Sequence, residues 1–375
     1  MEVIKQPQGL EESVQGRRIG YLGPQETYSY QAALQYVAEG KAEFVPCNTL
    51  EDVCRSVLAG NCTEGILPIE NLLEGSVNQV LDLLLENPRL TIQGEILLTI
   101  SHCLLVSGGS QADIKTVLSH PQALGQCRQY LAKHLPQAKQ VAVESTALAA
   151  QQVLEAGQVG LAAIAPLSAA QKYGLKVLAE NIQDQPHNCT RFVVVGTEQV
   201  PWGKGSYKTS LAVTGLDRPG TLHSILKEFA WQGINLTRIE SRPAKTFLGE
   251  YVFYIDLAGH RCQPEVAEAL QRVAEQNRGL RIFGSYPACS QGPRLEQAPP
   301  EDTLPSLRLD IDLIDRQLIQ LLGKRLRLAQ RIGDSEKQRE QQVLESVRLL
   351  ASQQGLAPDV VEEMYRLLLN YSGQT

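Results

Sequence analysis

Thr116-Val117-Leu118-Ser119-His120-Pro121-Gln122-Ala123-Leu124 runs a short strand-like segment straight into a polar cluster that opens a helical stretch. The same grammar repeats outward in both directions. Ile19–Leu22, Gly65–Ile69, Val141–Val143, Leu161–Ile164 and Phe192–Val195 are further short apolar runs, separated by Ala-, Leu- and Gln-rich stretches of helical length. Such alternation predicts strands joined by helical crossovers, an α/β region with largely parallel sheets from residue 17 to about residue 200.

The polar clusters share one placement, after a strand and at the start of a helix. They include Gly23-Pro24-Gln25-Glu26-Thr27-Tyr28-Ser29, Pro68-Ile69-Glu70-Asn71, Glu74-Gly75-Ser76 and Ser145-Thr146-Ala147. In open α/β sheets, ligands sit in the crevice beyond the carboxyl ends of the strands. Helix N-termini there offer unpaired N–H groups to an anion. Each cluster taken singly reads as an ordinary N-cap. Taken together, so many hydroxyls and amides suit a small polyanion held without a large positive charge.

Bulk properties agree. A chain of 375 residues with 43% hydrophobic content builds two or three cored domains, and a net charge of −6 gives no general attraction to nucleic acid or anionic membrane. Met1–Arg18 lacks the apolar core of a signal peptide, and the most apolar stretch, Glu95–Val106, is too short to span a bilayer. The eight cysteines form no C-x-x-C pair, so reduced thiols and a cytoplasmic location are expected. There is no metal-ligand spacing, nucleotide fingerprint or organic-cofactor motif, so no cofactor is expected.

Beyond a linker at 201–206 the order changes. Thr209–Thr214, Thr221–Gln232, Asn235–Ser241, Gly249–Leu257, Pro264–Gln276 and Leu280–Tyr286 read strand, helix, strand, strand, helix, strand. This predicts an α+β ferredoxin-like sandwich over 208–287. A proline-bearing linker, Ser290–Pro305, leads to an all-α tail over 305–375. There Leu307, Ile311, Ile314, Leu318, Leu321, Leu328 and Ile332 form one apolar stripe, interrupted by Arg325. A charge in such a stripe requires a partner or an anion.

Gly20-Tyr21-Leu22-Gly23-Pro24, Pro68-Ile69-Glu70-Asn71, Ser119-His120-Pro121-Gln122-Ala123-Leu124 and Asn188-Cys189-Thr190-Arg191-Phe192 resemble, in order and spacing, the signature of the prephenate dehydratases. The resemblance implies two α/β lobes around a cleft, like a type II periplasmic binding protein. It also implies a lyase of phenylalanine biosynthesis that expels carbon dioxide and hydroxide together from prephenate as the ring becomes aromatic. On it, Thr190, Arg191 and Phe192 are the catalytic positions, with the Thr190 hydroxyl a positioned donor to the departing hydroxide. Arg191 either holds a carboxylate or braces the cleft, and the sequence leaves both open. Asn71, Ser119, Gln122, Ser145 and Thr146 are the substrate-binding candidates, with Ser29 from the first turn. Two residues depart from the family pattern. Glu26 stands where glycine is usual, in a loop where its carboxylate would repel a dianion, and Leu72 replaces a hydroxyl residue.

The second segment resembles the ACT domains attached to these enzymes, through Asp217-Arg218-Pro219-Gly220-Thr221-Leu222, Gly233-Ile234-Asn235-Leu236 and Ile239-Glu240-Ser241-Arg242-Pro243. The resemblance implies a phenylalanine effector site at Gly220, Thr221, Leu222, Asn235, Leu236, Glu240, Ser241 and Arg242, at a subunit interface of a homodimer or homotetramer. The tail resembles the all-helical chorismate mutases, with Arg308, Arg325, Arg339, Glu340 and Ser372 at site-like positions. Glu336 stands where a family lysine is usual, and the 333–339 loop is short, so dimerisation or a decayed domain is the expected role of the tail. Two further readings stand beside the lyase: a bifunctional enzyme with mutase activity, and a non-catalytic sensor of an aromatic acid.

Overall fold

The computed structural model describes residues 16–37, 42–245, 250–289, scattered positions between 308 and 326, and residues 340–353 and 355–372. Residues to 293 form one compact unit and those from 294 a second.

The first unit begins with two α/β lobes. In lobe 1 the sheet order is β2 (Glu43–Cys47), β1 (Arg18–Leu22), β3 (Glu64–Asn71), β11 (Cys189–Gly196), β5 (Thr91–Thr99), with the short β4 (Gly75–Ser76) hairpinned onto β3. Lobe 2 is ordered β10 (Lys176–Ala179), β6 (Cys103–Val106), β9 (Leu161–Ala165), β7 (Thr116–Ser119), β8 (Lys139–Ala142). The chain crosses between lobes at 100–102 and returns at 180–188. The apolar stretch Glu95–Val106 is thus the end of one strand, a crossing and the start of another.

The sheets are mixed, which corrects the expectation of largely parallel pairing. β1–β2, β1–β3, β7–β8 and β7–β9 are parallel, while β11 is antiparallel to both β3 and β5, and β6 to both β9 and β10. The double crossing is the reason: a strand returning from the other lobe enters its sheet from the opposite end. β11 therefore lies between β3 and β5 with Thr190 in register with Asn71.

Helix starts follow local chemistry. Helix α6 (Thr146–Ala156) is capped by Ser145 Oγ, which accepts from the Leu148 N–H at 3.0 Å, and it ends at Gly157 in the left-handed conformation. Helix α4 (Pro121–Gln126) opens with proline in its first turn behind His120, whose ring accepts from the Gln122 N–H.

The expected βαββαβ sandwich follows. Its four-stranded antiparallel sheet is ordered β13 (Leu236–Pro243), β14 (Tyr251–Ala258), β12 (Tyr207–Thr214), β15 (Gly279–Pro287). One face carries α8 (Thr221–Trp231) and α9 (Pro264–Gln276), packed through Ile225, Phe229, Val266 and Leu270. The other face joins the core of lobe 1, where Ala212, Val252, Tyr254, Phe283 and Tyr286 pack in one cluster with Leu81, Leu84, Ile92 and Val193. Each large apolar side chain buried there contributes about 1.5–3 kcal/mol. The approach is close enough that a Cβ on Gly284 would stand 2.1 Å from the Ile92 carbonyl oxygen, so only glycine fits.

In the second unit, helices Glu340–Gln353 and Pro358–Ser372 pack as a pair, with Arg348 bonded to Asp359 at 2.9 Å and also to Glu362.

Candidate active site

Between the lobes lies a cleft of about 730 Å³. Ser29, Asn71, Gln122, Ser145, Thr146, Thr190 and Phe192 line it, so seven of the sequence candidates converge there. The helix starts at Tyr28, Pro121 and Thr146 all open onto it. Among the described residues that line it there is no lysine or arginine, and Glu144 is the single carboxylate. An anion there is met by hydroxyls, amides and helix N-terminal N–H groups rather than by side-chain cations.

Two candidates are not in the cleft. Ser119 is fully buried and donates to the Ile164 carbonyl at 2.6 Å, tying β7 to β9. Arg191 faces the other side of its sheet, because successive side chains on a strand point to opposite faces. Thr190 and Phe192 look into the cleft, while Arg191 between them runs into the α+β sandwich. Its guanidinium donates to Glu95 at 2.7 Å, Asp256 at 2.5 Å and the Tyr286 hydroxyl at 2.8 Å. Burial works against its charge, but Tyr286, Asp256 and Glu95 outweigh burial and raise its pKa above the ordinary value. Of the two readings left open by the sequence, bracing is what this geometry supports.

The Thr190 hydroxyl is held from behind. Asn71 Oδ1 accepts from the backbone N–H groups of Leu73 at 3.0 Å and Glu74 at 3.2 Å, which turns its amide nitrogen the other way. That nitrogen donates to Thr190 Oγ1 at 2.8 Å and to Asn188 Oδ1 at 3.0 Å. Since Oγ1 accepts from Asn71, its own proton is left to donate. The departures from the family pattern do not obstruct this. Glu26 adopts φ 69°, a left-handed conformation that favours glycine, but its carboxylate lies 3.6 Å from Lys172 of lobe 2 and does not line the cleft. Leu72 is exposed and also lies outside it. Glu26→Gly is accordingly expected to change kcat on the native substrate by less than about threefold. A loss of ten-fold or more would show that the carboxylate matters to turnover.

Residues 19–200 match the family model for prephenate dehydratase, residues 209–275 that for the ACT domain, and residues 307–374 that for chorismate mutase type II. The chain is 41% identical over 286 residues to a bifunctional chorismate mutase/prephenate dehydratase of Aquifex aeolicus, covering 76% of this chain and 77% of that one. The chain belongs to the prephenate dehydratase family. It is also 42% identical to the prephenate dehydratase of Methanocaldococcus jannaschii over 71% of this chain and 97% of that one. Among solved structures it resembles the prephenate dehydratase of Arthrobacter aurescens in complex with L-Phe, at 36% identity and TM-score 0.68 over 80% of this chain and 99% of that one. It also resembles GqqA, described as a novel type of quorum quenching acylase, at 32% identity and TM-score 0.66 over 73% and 99%.

A second cavity, of about 370 Å³, lies on the sandwich. Gly220, Thr221, Leu222 and Ser241 line it, together with Asp217, Arg218 and Tyr251. Thr221 donates to the Leu216 carbonyl at 2.7 Å and so shapes the loop. Asn235, Leu236, Glu240 and Arg242 do not line this cavity. On β13, Glu240 and Arg242 point opposite to Ser241 and grip lobe 1. Glu240 bonds Ser76, and Arg242 donates to Asp82 at 2.7 Å and to the Asn78 carbonyl at 2.9 Å.

In the mutase-like tail, Arg308 is exposed, and the Arg325 guanidinium lies 5.8 Å from the Tyr365 ring centroid. Arg339, Glu336 and the 333–339 loop lie outside the described residues, as do the side chains of Glu340 and Ser372.

Several cleft residues escaped the sequence reading. Tyr28, His102 and Gln126 line the cleft, and Asn188 sits fully buried behind it. Gln126 falls two residues past the quoted Ser119–Leu124 motif, and Asn188 opens the Thr-Arg-Phe motif, so both carried a local signal. His102 carried none, because its neighbours read as an apolar run.

Proposed function

We propose that this chain converts prephenate to phenylpyruvate. Prephenate dianion takes up one proton and yields phenylpyruvate monoanion, carbon dioxide and water. The bond from the ring to the carboxylate breaks, its electron pair moves into the ring, and the ring C–O bond breaks to release hydroxide. The ring gains aromaticity, so the barrier lies in the departure of hydroxide, a poor leaving group unless it is met by a proton or a strong hydrogen bond. One observation carries the reading: Asn71 donates to Thr190 Oγ1 at 2.8 Å and leaves the threonine O–H to meet the departing oxygen. A fixed donor stabilises developing negative charge without reorganising. The helix starts at Tyr28, Pro121 and Thr146 would hold the carboxylates. This arrangement speaks against the non-catalytic sensor, since binding alone does not require a hydroxyl with its proton left free.

Purified chain supplied with prephenate is expected to form phenylpyruvate, read by absorbance in alkali; no product from a correctly folded chain would overturn the proposal. Chorismate supplied separately reads the tail, and prephenate formed from it would make the chain bifunctional.

Phenylalanine is the proposed effector, taken up at the cavity that Gly220, Thr221, Leu222 and Ser241 line. The L-Phe complex of the Arthrobacter relative and the match to the ACT model support this. Because Arg242 joins β13 to Asp82 of lobe 1, Arg242→Ala is expected to leave phenylalanine binding within a few-fold while halving or abolishing its effect on turnover. Calorimetry and a phenylalanine titration of activity read the two separately. An unchanged response would remove Arg242 from the coupling.

A further inference from the structure

The cleft holds a hydrogen-bonded ring that the threonine mechanism does not by itself call for. Asn188 Nδ2 donates to Gln126 Oε1 at 3.0 Å, and Gln126 Nε2 donates to Glu74 Oε1 at 3.2 Å. The Glu74 N–H donates to Asn71 Oδ1 at 3.2 Å, and Asn71 donates back to Asn188 at 3.0 Å. The ring spans both lobes: Asn71 and Glu74 belong to lobe 1, Gln126 to lobe 2, and Asn188 to the returning crossing. Every direction in it is set. The backbone donors of Leu73 and Glu74 orient Asn71, Asn71 orients Asn188, and Asn188 turns the Gln126 oxygen toward itself.

His102, on the outgoing crossing, meets this ring at one atom. Its Nε2 lies 2.9 Å from Gln126 Oε1, which is an acceptor, so Nε2 carries the proton. Its Nδ1 lies 2.9 Å from the hydroxyl of Tyr28, which donates to the Ser101 carbonyl oxygen at 2.8 Å. The side chain is 2% exposed, so its orientation is held by packing as well as by these partners. Burial keeps its pKa below the ordinary value, with the Gln126 bond opposing, and the imidazole stays neutral.

We infer that His102 is a positioning residue for the dehydration step. Its Nε2–H locks Gln126, and through Asn188 this holds Asn71 in place against the Thr190 hydroxyl, whose role as donor the Leu73 and Glu74 N–H groups set by turning Asn71. Because the ring joins the two lobes and both crossings, Thr190 is aligned only when the lobes stand as they do here. Proton transfer along the amides is not required, since they act by holding position.

The inference rests on the prephenate reading, and the test separates the two. Wild type, His102→Gln and His102→Asn are assayed as full-length chains with prephenate, after melting curves show folding within a few degrees of wild type. A glutamine amide reaches the place of Nε2 and restores a donor to Gln126, whereas asparagine reaches only the place of Nδ1. His102→Asn is expected to lower kcat by about 10²-fold with KM within threefold, and His102→Gln to stay within about fivefold of wild type. Equal kcat in the two folded variants, or a rise in KM with kcat unchanged, would overturn the role of His102. Should His102→Asn fail to fold, Gln126→Met removes the same link, and a kcat within threefold of wild type in that variant would overturn it equally. Wild type without turnover would instead remove the prephenate reading.

Discussion

Thr190→Val is expected to lower kcat for phenylpyruvate formation by about 10²- to 10³-fold, the usual cost of losing one preorganised donor to developing negative charge. Valine keeps the shape of the side chain, and Asn71 keeps its bond to Asn188, so the variant should melt close to wild type. Thr190→Ser restores the hydroxyl and should recover most of the rate. Because the donor acts on a charge that develops only as the C–O bond breaks, kcat should fall while KM changes little. Stopped-time assays over a range of prephenate concentrations read both constants. A valine variant with kcat within threefold of wild type would place the donor to the departing oxygen elsewhere in the cleft.

Arg191→Met is expected to be the most damaging single change to the stability of the first unit. It strands Asp256 and part of the charge on Glu95, both nearly fully buried. Lys208 still reaches Glu95 at 2.8 Å, but the ion pair of Asp256 is lost. Breaking a buried pair from one side costs about 3–5 kcal/mol. The pH dependence follows from Asp256. In the wild-type fold, burial opposes its charge, but Arg191, with the Ser210 hydrogen bond and the Arg238 charge, outweighs burial and holds the carboxyl below its usual range. That contribution is present above the unfolded carboxyl pKa and lost as pH falls through the folded one. In the variant, only the Ser210 hydrogen bond and the Arg238 charge still oppose burial, so the carboxyl pKa rises relative to wild type and the penalty is largest near neutrality and shrinks as acid protonates the group. Melting midpoints of both proteins at pH 7.5 and pH 5 test this; a gap of equal size at the two pH values would mean that Asp256 is not the stranded charge. Since Arg191 follows Thr190 on β11, the same variant should also lose turnover and effector response.

Much of this protein was legible in one dimension. Strand-then-helix alternation follows from runs such as Leu161–Ile164 set before Ala-rich stretches, because short apolar runs and helical stretches have different periods. The sandwich was legible for the same reason, and its helix Pro264–Gln276 stands where the pattern put it. Clusters at helix starts marked Gln122, Ser145 and Thr146 because polar side chains at those turns have one common job, satisfying or supplementing free N–H groups; Asn71 reads the same way in sequence but ends β3, in the hairpin turn to β4, where no helix opens.

Facing is what one dimension left undecided. The two-residue period of a strand requires that Thr190 and Arg191 look opposite ways, and likewise Ser241 and Arg242. Which side is the cleft depends on what covers each face of the sheet. β11 enters lobe 1 from the far crossing, between β3 and β5, and the sandwich then covers the face that Arg191 occupies. Sheet pairing across more than a hundred residues sets Thr190 beside Asn71, and no local pattern records it. His102 shows the same limit most sharply: only the meeting of two crossings, distant in the chain, brings its imidazole to the amides behind the threonine.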